Sequence, residues 1–411
     1  MHRVFPAYRL CATTVIITAP LLFAASGCTV LQKLPFVSKP APVPAPVALI
    51  KASPTSPPPP QIDYAKVRPN ELGKIPVVMY HDIGGTPPRR DYGLHRSVAA
   101  FEKDLELMYT AGFRPVNMGD VIAGKIDVPA GMSPVVITFD DARESQFRLV
   151  ETANSQKIDP NCGVGLLQAF HKKHKGWGLK ATFFALPKGP RTADSFGQVG
   201  LGDQKLQYLV TNGFEIGNHS LNHKNMSRMT PTELQAEIGG ANNNLLTAAP
   251  EAVIRVVALP MGVYPKSKAD WKYLVEGTFN GKSYKYDGAM LAAYRPIPSP
   301  LSKAFDPLRM ERIAPMDKDP NGLRNWLVKL AAASGDRFVS DGDPLTVSFP
   351  QSREAELNAA KLKSAGLRAN AYVPFGGSGG AKPIVGMDDA PGTIPTTASP
   401  AAPGAKPISA E

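Results

Sequence analysis

The sequence predicts an α/β chain whose folded part is a single domain, a distorted (β/α) barrel of seven or eight units. Three observations predict it. Short β-rich apolar runs alternate with helical patterns, which is the sequence form of βα units around a parallel sheet. Between a Pro-rich stretch and a Gly/Pro/Ala-rich tail lie roughly 300 residues with no inner linker, enough to bury one large barrel. Finally, Tyr80-His81-Asp82, Asp140-Asp141 and His219 each stand where an apolar strand gives way to a loop, the strand end at which barrel chemistry gathers.

The units follow in order. Ile75–Ile83 (IPVVMYHDI) reads as the first strand and Ser97–Ala111 as its helix; Pro134–Asp141 (PVVITFDD) precedes a helix near Gly165–Lys173. Ala181–Leu186 (ATFFAL) precedes Asp203–Asn212. Glu215–His219 precedes a helix whose start is marked by the capping box Thr230-Pro231-Thr232-Glu233, with Pro at its first position. Val253–Pro260 leads to Ser267–Glu276, and strands near Gly288–Ala293 and Arg309–Ala314 finish the series. Phe338–Pro350 reads as a late loop and strand, with Asp341 or Asp343 a conceivable neighbour of the barrel mouth. The stretch between Asp141 and Ala181 is longer than a plain loop and helix need, and is a candidate for shaping a groove.

The ends carry different signals. Arg3 and Arg9 precede an apolar run from Leu10 to Ala25, the layout of a secretory signal segment. The run is short for a spanning helix, which needs about 20 apolar residues, and Pro20 interrupts it. Its end, Leu22-Phe23-Ala24-Ala25-Ser26-Gly27-Cys28, resembles the lipobox of bacterial lipoproteins. That resemblance implies a lipidated Cys28 holding the protein to a membrane of the bacterial cell envelope, and Thr29 in place of Asp leans towards an outer membrane; an ordinary signal peptide is the alternative. The expected organisation is therefore 1–28 lipoprotein signal, 29–70 Pro-rich linker, 71–375 barrel domain and 376–411 tail without apolar periodicity. Of the three cysteines, Cys11 lies in the signal, Cys28 at the junction and Cys162 alone, so no disulfide framework follows. The net charge of +11 is dispersed and unaccompanied by any nucleic-acid-binding signature, so no nucleic-acid partner is expected.

Two polar clusters carry chemistry. Asp140 and Asp141 end an apolar strand, where burial is costly unless a cation or hydrogen-bond donors compensate it. His219 and His223 are four residues apart and converge on one ion if the loop turns helically after the strand. Two imidazoles and a carboxylate leave an open position, as a catalytic Zn²⁺ site requires. Separately, the carboxylates read equally as a solvated loop or a helix cap, and the histidine spacing as an accident.

Together VVITFDD, ATFFAL and GFEIGNHSLNH, in this order, resemble the carbohydrate esterase family of polysaccharide deacetylases, over about Ile75 to Pro315. The resemblance implies that Asp140 is the general base, that Asp141, His219 and His223 hold a divalent metal, Zn²⁺ by default, and that the substrate is an N-acetylated polysaccharide. Two departures stand out. Where the family has an arginine ahead of its Pro-aromatic-Gly motif, this chain has Ala258-Leu259-Pro260-Met261-Gly262, and no histidine follows His223 to act as the late catalytic acid. His81, in VVMYHD, is similar to the early acid of the branch typified by deacetylases of exported poly-N-acetylglucosamine; the alternative is a histidine that only bonds neighbouring backbone. Asp82 either orients that imidazole or caps a turn. Met261 and Tyr264 line the acetyl pocket or merely pack, and His95, His171 and His174 are expected in solvated positions. The missing arginine and late histidine also fit a non-catalytic glycan-binding lipoprotein, and an O-acetyl esterase would use the same water and base.

Overall fold

The computed structural model describes residues 62–87, 93–152, 155–292, 294–331 and 335–374. The expected leader, the Cys28 junction and the tail beyond residue 374 lie outside the described residues. Six strands form the central sheet in the order β1 (Val77–Tyr80), β2 (Ser133–Asp140), β3 (Thr182–Ala185), β4 (Glu215–Asn218), β5 (Val256–Ala258) and β6 (Gly288–Met290), every neighbour parallel. A short strand, Phe113–Pro115, pairs with the start of β2.

The open edges of β1 and β6 are joined by the segment 310–313. Met310 bridges to Met290 and Ile313 to Val78, both parallel. The Leu291 amide donates to the Met310 carbonyl at 2.7 Å and the Ile313 amide to the Val77 carbonyl at 2.7 Å. The ring therefore has seven members, the lower of the two expected numbers. The run expected as a strand at Arg309–Ala314 makes isolated bridges only, because Pro307 and Pro315 flank it and neither can donate to a ladder.

Alternation along the strands sorts the residues. On β2, Val135, Ile137 and Phe139 face the helices, Phe139 stacking on Phe183 at 4.7 Å, while Val136, Thr138 and Asp140 face the barrel interior. Aliphatic residues fill the lower interior, with Val77, Val136, Val256 and Met310 closed off by the helix Met118–Ala123. Each such side chain contributes about 1.5–3 kcal/mol on full burial. At the upper end the interior turns polar, and Asp140 and Arg312 are both nearly inaccessible there.

The helices expected after β1, β2, β3 and β4 form as Val98–Thr110, Gly163–Lys173, Gly202–Thr211 and Pro231–Ala248. The capping box is made at both ends, with Thr230 accepting from the Glu233 amide and Glu233 from the Thr230 amide. The expected helix over Ser267–Glu276 breaks into a 3-10 turn, Lys268–Trp271, and one turn of α-helix, Lys272–Val275, followed by a hairpin at Glu276–Lys285. Order also begins before residue 71. Tyr64, in the helix Tyr64–Val67, accepts from the Asn370 amide, and Tyr372 donates to the Pro69 carbonyl, so the end of the stretch read as linker packs on the late strands Thr346–Pro350 and Arg368–Tyr372. No helix among the described residues is long and apolar enough to cross a membrane.

Candidate active site

At the upper end of β2 the chain leaves the sheet through two consecutive residues in the left-handed region, Asp141 (φ 77°) and Ala142 (φ 49°). This turn sends the adjacent carboxylates different ways. Asp140 points into the barrel, where Arg312 grips it fork-on-fork, Nη1 to Oδ1 at 2.6 Å and Nη2 to Oδ2 at 2.7 Å. Arg312 Nε also donates to the Leu291 carbonyl at 2.8 Å. Burial alone would raise the Asp140 carboxyl; the guanidinium overrides it, aided by His219, and holds the group below the usual carboxylate value.

Asp141 turns outward and meets the two imidazoles. Its Oδ1 lies 3.3 Å from His219 Nε2 and 3.4 Å from His223 Nε2, yet it is a buried oxygen with no hydrogen-bond partner among the described residues. One donor atom from each of Asp141, His219 and His223 falls within 4.8 Å of the others. The three atoms thus surround a common point without bonding one another. Oδ2 is occupied by Arg143, whose Nε and Nη2 donate at 3.0 and 2.9 Å.

The histidines converge differently from expectation. No helical turn follows β4; instead Asn218 Oδ1 accepts from the Ser220 amide at 2.7 Å, Ser220 Oγ accepts from the His223 amide at 3.0 Å, and both Ser220 (φ 69°) and His223 (φ 51°) are left-handed. Asn218 is fully buried and anchored to the Ile238 carbonyl and the Tyr286 hydroxyl. His219 Nδ1 donates to the Ala258 carbonyl at 2.9 Å, which turns Nε2 towards Asp141. Burial and the charge of His219 push His223 down to about 4, so its imidazole is neutral at pH 7 and able to ligate. Burial would also depress His219, but Asp140 and Asp141 outweigh it and draw positive charge to that point. A divalent cation fits this donor set: two nitrogens, one oxygen, and a field that attracts a cation.

His81 completes the cluster from β1. It is buried, its Nε2 stands 3.9 Å from Asp140 Oδ2, and its Nδ1 has no partner among the described residues, so the backbone-bonding alternative is not seen. Burial lowers its pKa against the pull of Asp140 and Asp141. Gln146, fully buried, donates to both the His81 and the Asp140 carbonyls and ties the two strand ends together.

Other expectations resolve by position. Among the described residues the Asp82 carboxylate neither orients the imidazole nor caps the following turn; it accepts from Arg143 Nη1 at 2.8 Å and from Ser145 Oγ at 3.1 Å. Asp341 is not at the mouth: Ser340 pairs with Gly131 and Met132 beside the start of β2, at the barrel foot, and the Asp341 amide faces Glu71. Tyr264 is a packing residue, stacked on Trp271 at 4.1 Å with its hydroxyl on the Leu308 carbonyl, whereas Met261 is 42% exposed with φ 58°. His171 is exposed as expected; His95 and His174 are half-buried, bonded to the Gly84 carbonyl and paired with Glu106. None of the three joins the cluster.

The sequence reading missed Arg312 and Arg143. Arg312 had a signal: it shares the inward face of 310–313 with Met310, two residues away. Arg143 had none, since its placement depends on the left-handed turn.

A family model described as Polysaccharide deacetylase matches residues 127–272. The chain is similar to a chitooligosaccharide deacetylase of Bradyrhizobium sp., 26% identical over 148 residues, 36% of this chain; it spans about half (51%) of that curated relative. Among solved structures it is similar to deacetylase PplD of Streptococcus pyogenes in complex with acetate (17% identity, 62% of this chain, 98% of that one, TM-score 0.45). It is also similar to IcaB from Ammonifex degensii (17% identity, 62% and 97%, TM-score 0.43).

Proposed function

We propose that the polysaccharide deacetylase domain this chain carries hydrolyses N-acetyl groups of an amino-sugar polysaccharide, with a divalent cation held by Asp141, His219 and His223. The observation that carries this reading is the convergence of those three donor atoms beside a buried, arginine-clamped Asp140 and the imidazole of His81. A bound cation of this kind polarises the amide carbonyl and lowers the pKa of water. Zn²⁺ is the default for such donors, although other first-row ions also suit them.

The chain's own residues do the rest. Asp140 Oδ2 is the base that takes the proton of the attacking water, and Arg312 keeps it ionised until then. His81 Nε2, 3.9 Å from that oxygen, is the group placed to pass a proton to the departing nitrogen. Water thus gives its hydroxyl to the acetyl carbon and, through Asp140 and His81, one proton to the nitrogen as the C–N bond breaks; acetic acid and the amine form and leave as acetate and ammonium. For the absent family arginine, which motivated a non-catalytic reading, the bridging segment 310–313 offers Arg312 as a counterpart.

The test is acetate release from N-acetylglucosamine oligomers by the form lacking residues 1–28, with Zn²⁺ or with chelator, beside His81→Ala and an O-acetylated xylan control. Release should require metal and fall by about 10²–10⁴-fold in His81→Ala. A metal-loaded enzyme inert on N-acetyl substrates would refute the reading, and activity confined to xylan would replace it with an esterase. For location we propose an envelope membrane, with Cys28 lipidated. Full-length protein should then sediment with membranes and Cys28→Ser should not; equal sedimentation of both would exclude the anchor.

A further inference from the structure

The two adjacent carboxylates have separate guanidinium partners. Asp140 is held from inside the barrel by Arg312, and Asp141 from outside by Arg143. The second arrangement reaches beyond the pair. Arg143 spends Nε and Nη2 on Asp141 Oδ2 (3.0 and 2.9 Å) and its remaining nitrogen, Nη1, on Asp82 Oδ2 at 2.8 Å. Asp82 Oδ1 accepts from Ser145 Oγ at 3.1 Å, and that hydroxyl accepts from the Ile83 amide at 3.2 Å. A continuous polar bridge thus runs from the residue after His81 to the carboxylate beside His219 and His223. It closes only because Asp141 and Ala142 are both left-handed, which folds Arg143 back onto the residue two before it. Such a conformation persists where surrounding contacts hold it.

We infer that Arg143, braced by Asp82, is a positioning residue for the metal: it occupies Asp141 Oδ2 and so presents Oδ1 alone to the point shared with His219 and His223. The observed division of the carboxylate carries the inference, since Oδ2 has two guanidinium bonds and Oδ1 is buried without one. A carboxylate so fixed offers one ligand atom in a set direction, leaving the cation more open positions than a chelating carboxylate would. Outer groups of this kind typically change metal affinity by about 10–100-fold when removed. Asp82 acts through Arg143, because its contacts are to Arg143 and Ser145 and not to the donor atoms.

The inference rests on the metal reading above, and a double-mutant cycle on Zn²⁺ affinity separates the two. Full-length protein in detergent, as wild type, Arg143→Ala, Asp82→Ala, the double variant and Arg143→Lys, is titrated against a chromophoric chelator, with far-ultraviolet dichroism checking each fold. Arg143→Ala should weaken Zn²⁺ binding about tenfold, Asp82→Ala less, and the double variant no more than Arg143→Ala alone. Arg143→Lys, which cannot make the three bonds, should recover only part. Unchanged or tighter binding in folded Arg143→Ala, or additive losses in the double variant, would overturn the inference while leaving the metal site standing. Should Arg143→Ala fail to fold, Arg143→Lys, Asp82→Ala and the variant that combines them decide by the same additivity. Wild type that binds no Zn²⁺ would overturn both.

Discussion

At the residue scale the decisive contact is the buried fork between Arg312 and Asp140. Neither side chain reaches water, so each is compensated mainly by the other. Removing one partner of such a pair leaves a buried charge alone and costs about 3–5 kcal/mol. Arg312→Ala should therefore lower stability by that order in a urea titration and reduce acetate release by at least about 100-fold, through a base that is no longer oriented or held ionised. Arg312→Lys restores the charge without the fork and should recover stability more than turnover. A variant with wild-type turnover would show that Asp140 needs no tether. This residue was legible only in part: the sequence places an arginine two residues after Met310, on the same face of a strand-like run, but which carboxylate it meets depends on a contact 172 residues away.

At the element scale the helix Met118–Ala123 closes the barrel foot, and Glu215 on β4 holds it there. The Gly119 amide donates to both Glu215 oxygens at 3.0 Å, and Thr182 Oγ1 donates to Oε2 at 2.6 Å. Gly119 is required by space, since a Cβ there would stand 2.3 Å from Glu215 Oε1. Burial, reinforced by Asp120, raises the carboxyl from 4.5 to about 7 against the hydrogen bonds from Thr182 and Gly119 and the charge of Arg255. The folded state thus keeps a proton that the unfolded chain releases near pH 4.5. The stability Glu215 supplies is complete below that pH, declines as pH rises towards 7 and is lost above it, on the order of 3 kcal/mol. Urea midpoints at pH 5 and pH 8 should differ less in Glu215→Gln than in wild type, the variant gaining at pH 8. An unchanged difference would place the pH dependence on other groups, such as Asp104, which burial raises to about 6.

At the scale of the whole molecule, the barrel, the order of its strands and five of its charged or polar site groups follow from local pattern. Apolar runs of strand length ending in Asp140-Asp141 or His219 announce both the element and the end at which chemistry sits, because side chains alternate along a strand and its polar terminus must find a partner or water. His81, Asp140, Asp141 and His219 were named from such positions and His223 from its spacing to His219, and the structure brings the five together. What pattern does not contain is how loops turn and which distant segment closes a ring. The histidine loop converges through an Asn218 side chain and two left-handed residues instead of a helical turn, and Arg143 reaches Asp141 through two more. The seventh member of the barrel, 310–313, supplies the guanidinium that the motif at Ala258 lacks. The sequence by itself thus determined the six strands of the central sheet and which residues bear charge at their ends, since those rest on hydrophobic periodicity and composition. Tertiary structure alone decided the pairing of each carboxylate with its arginine, because backbone sign and long-range closure are set by packing of the complete barrel.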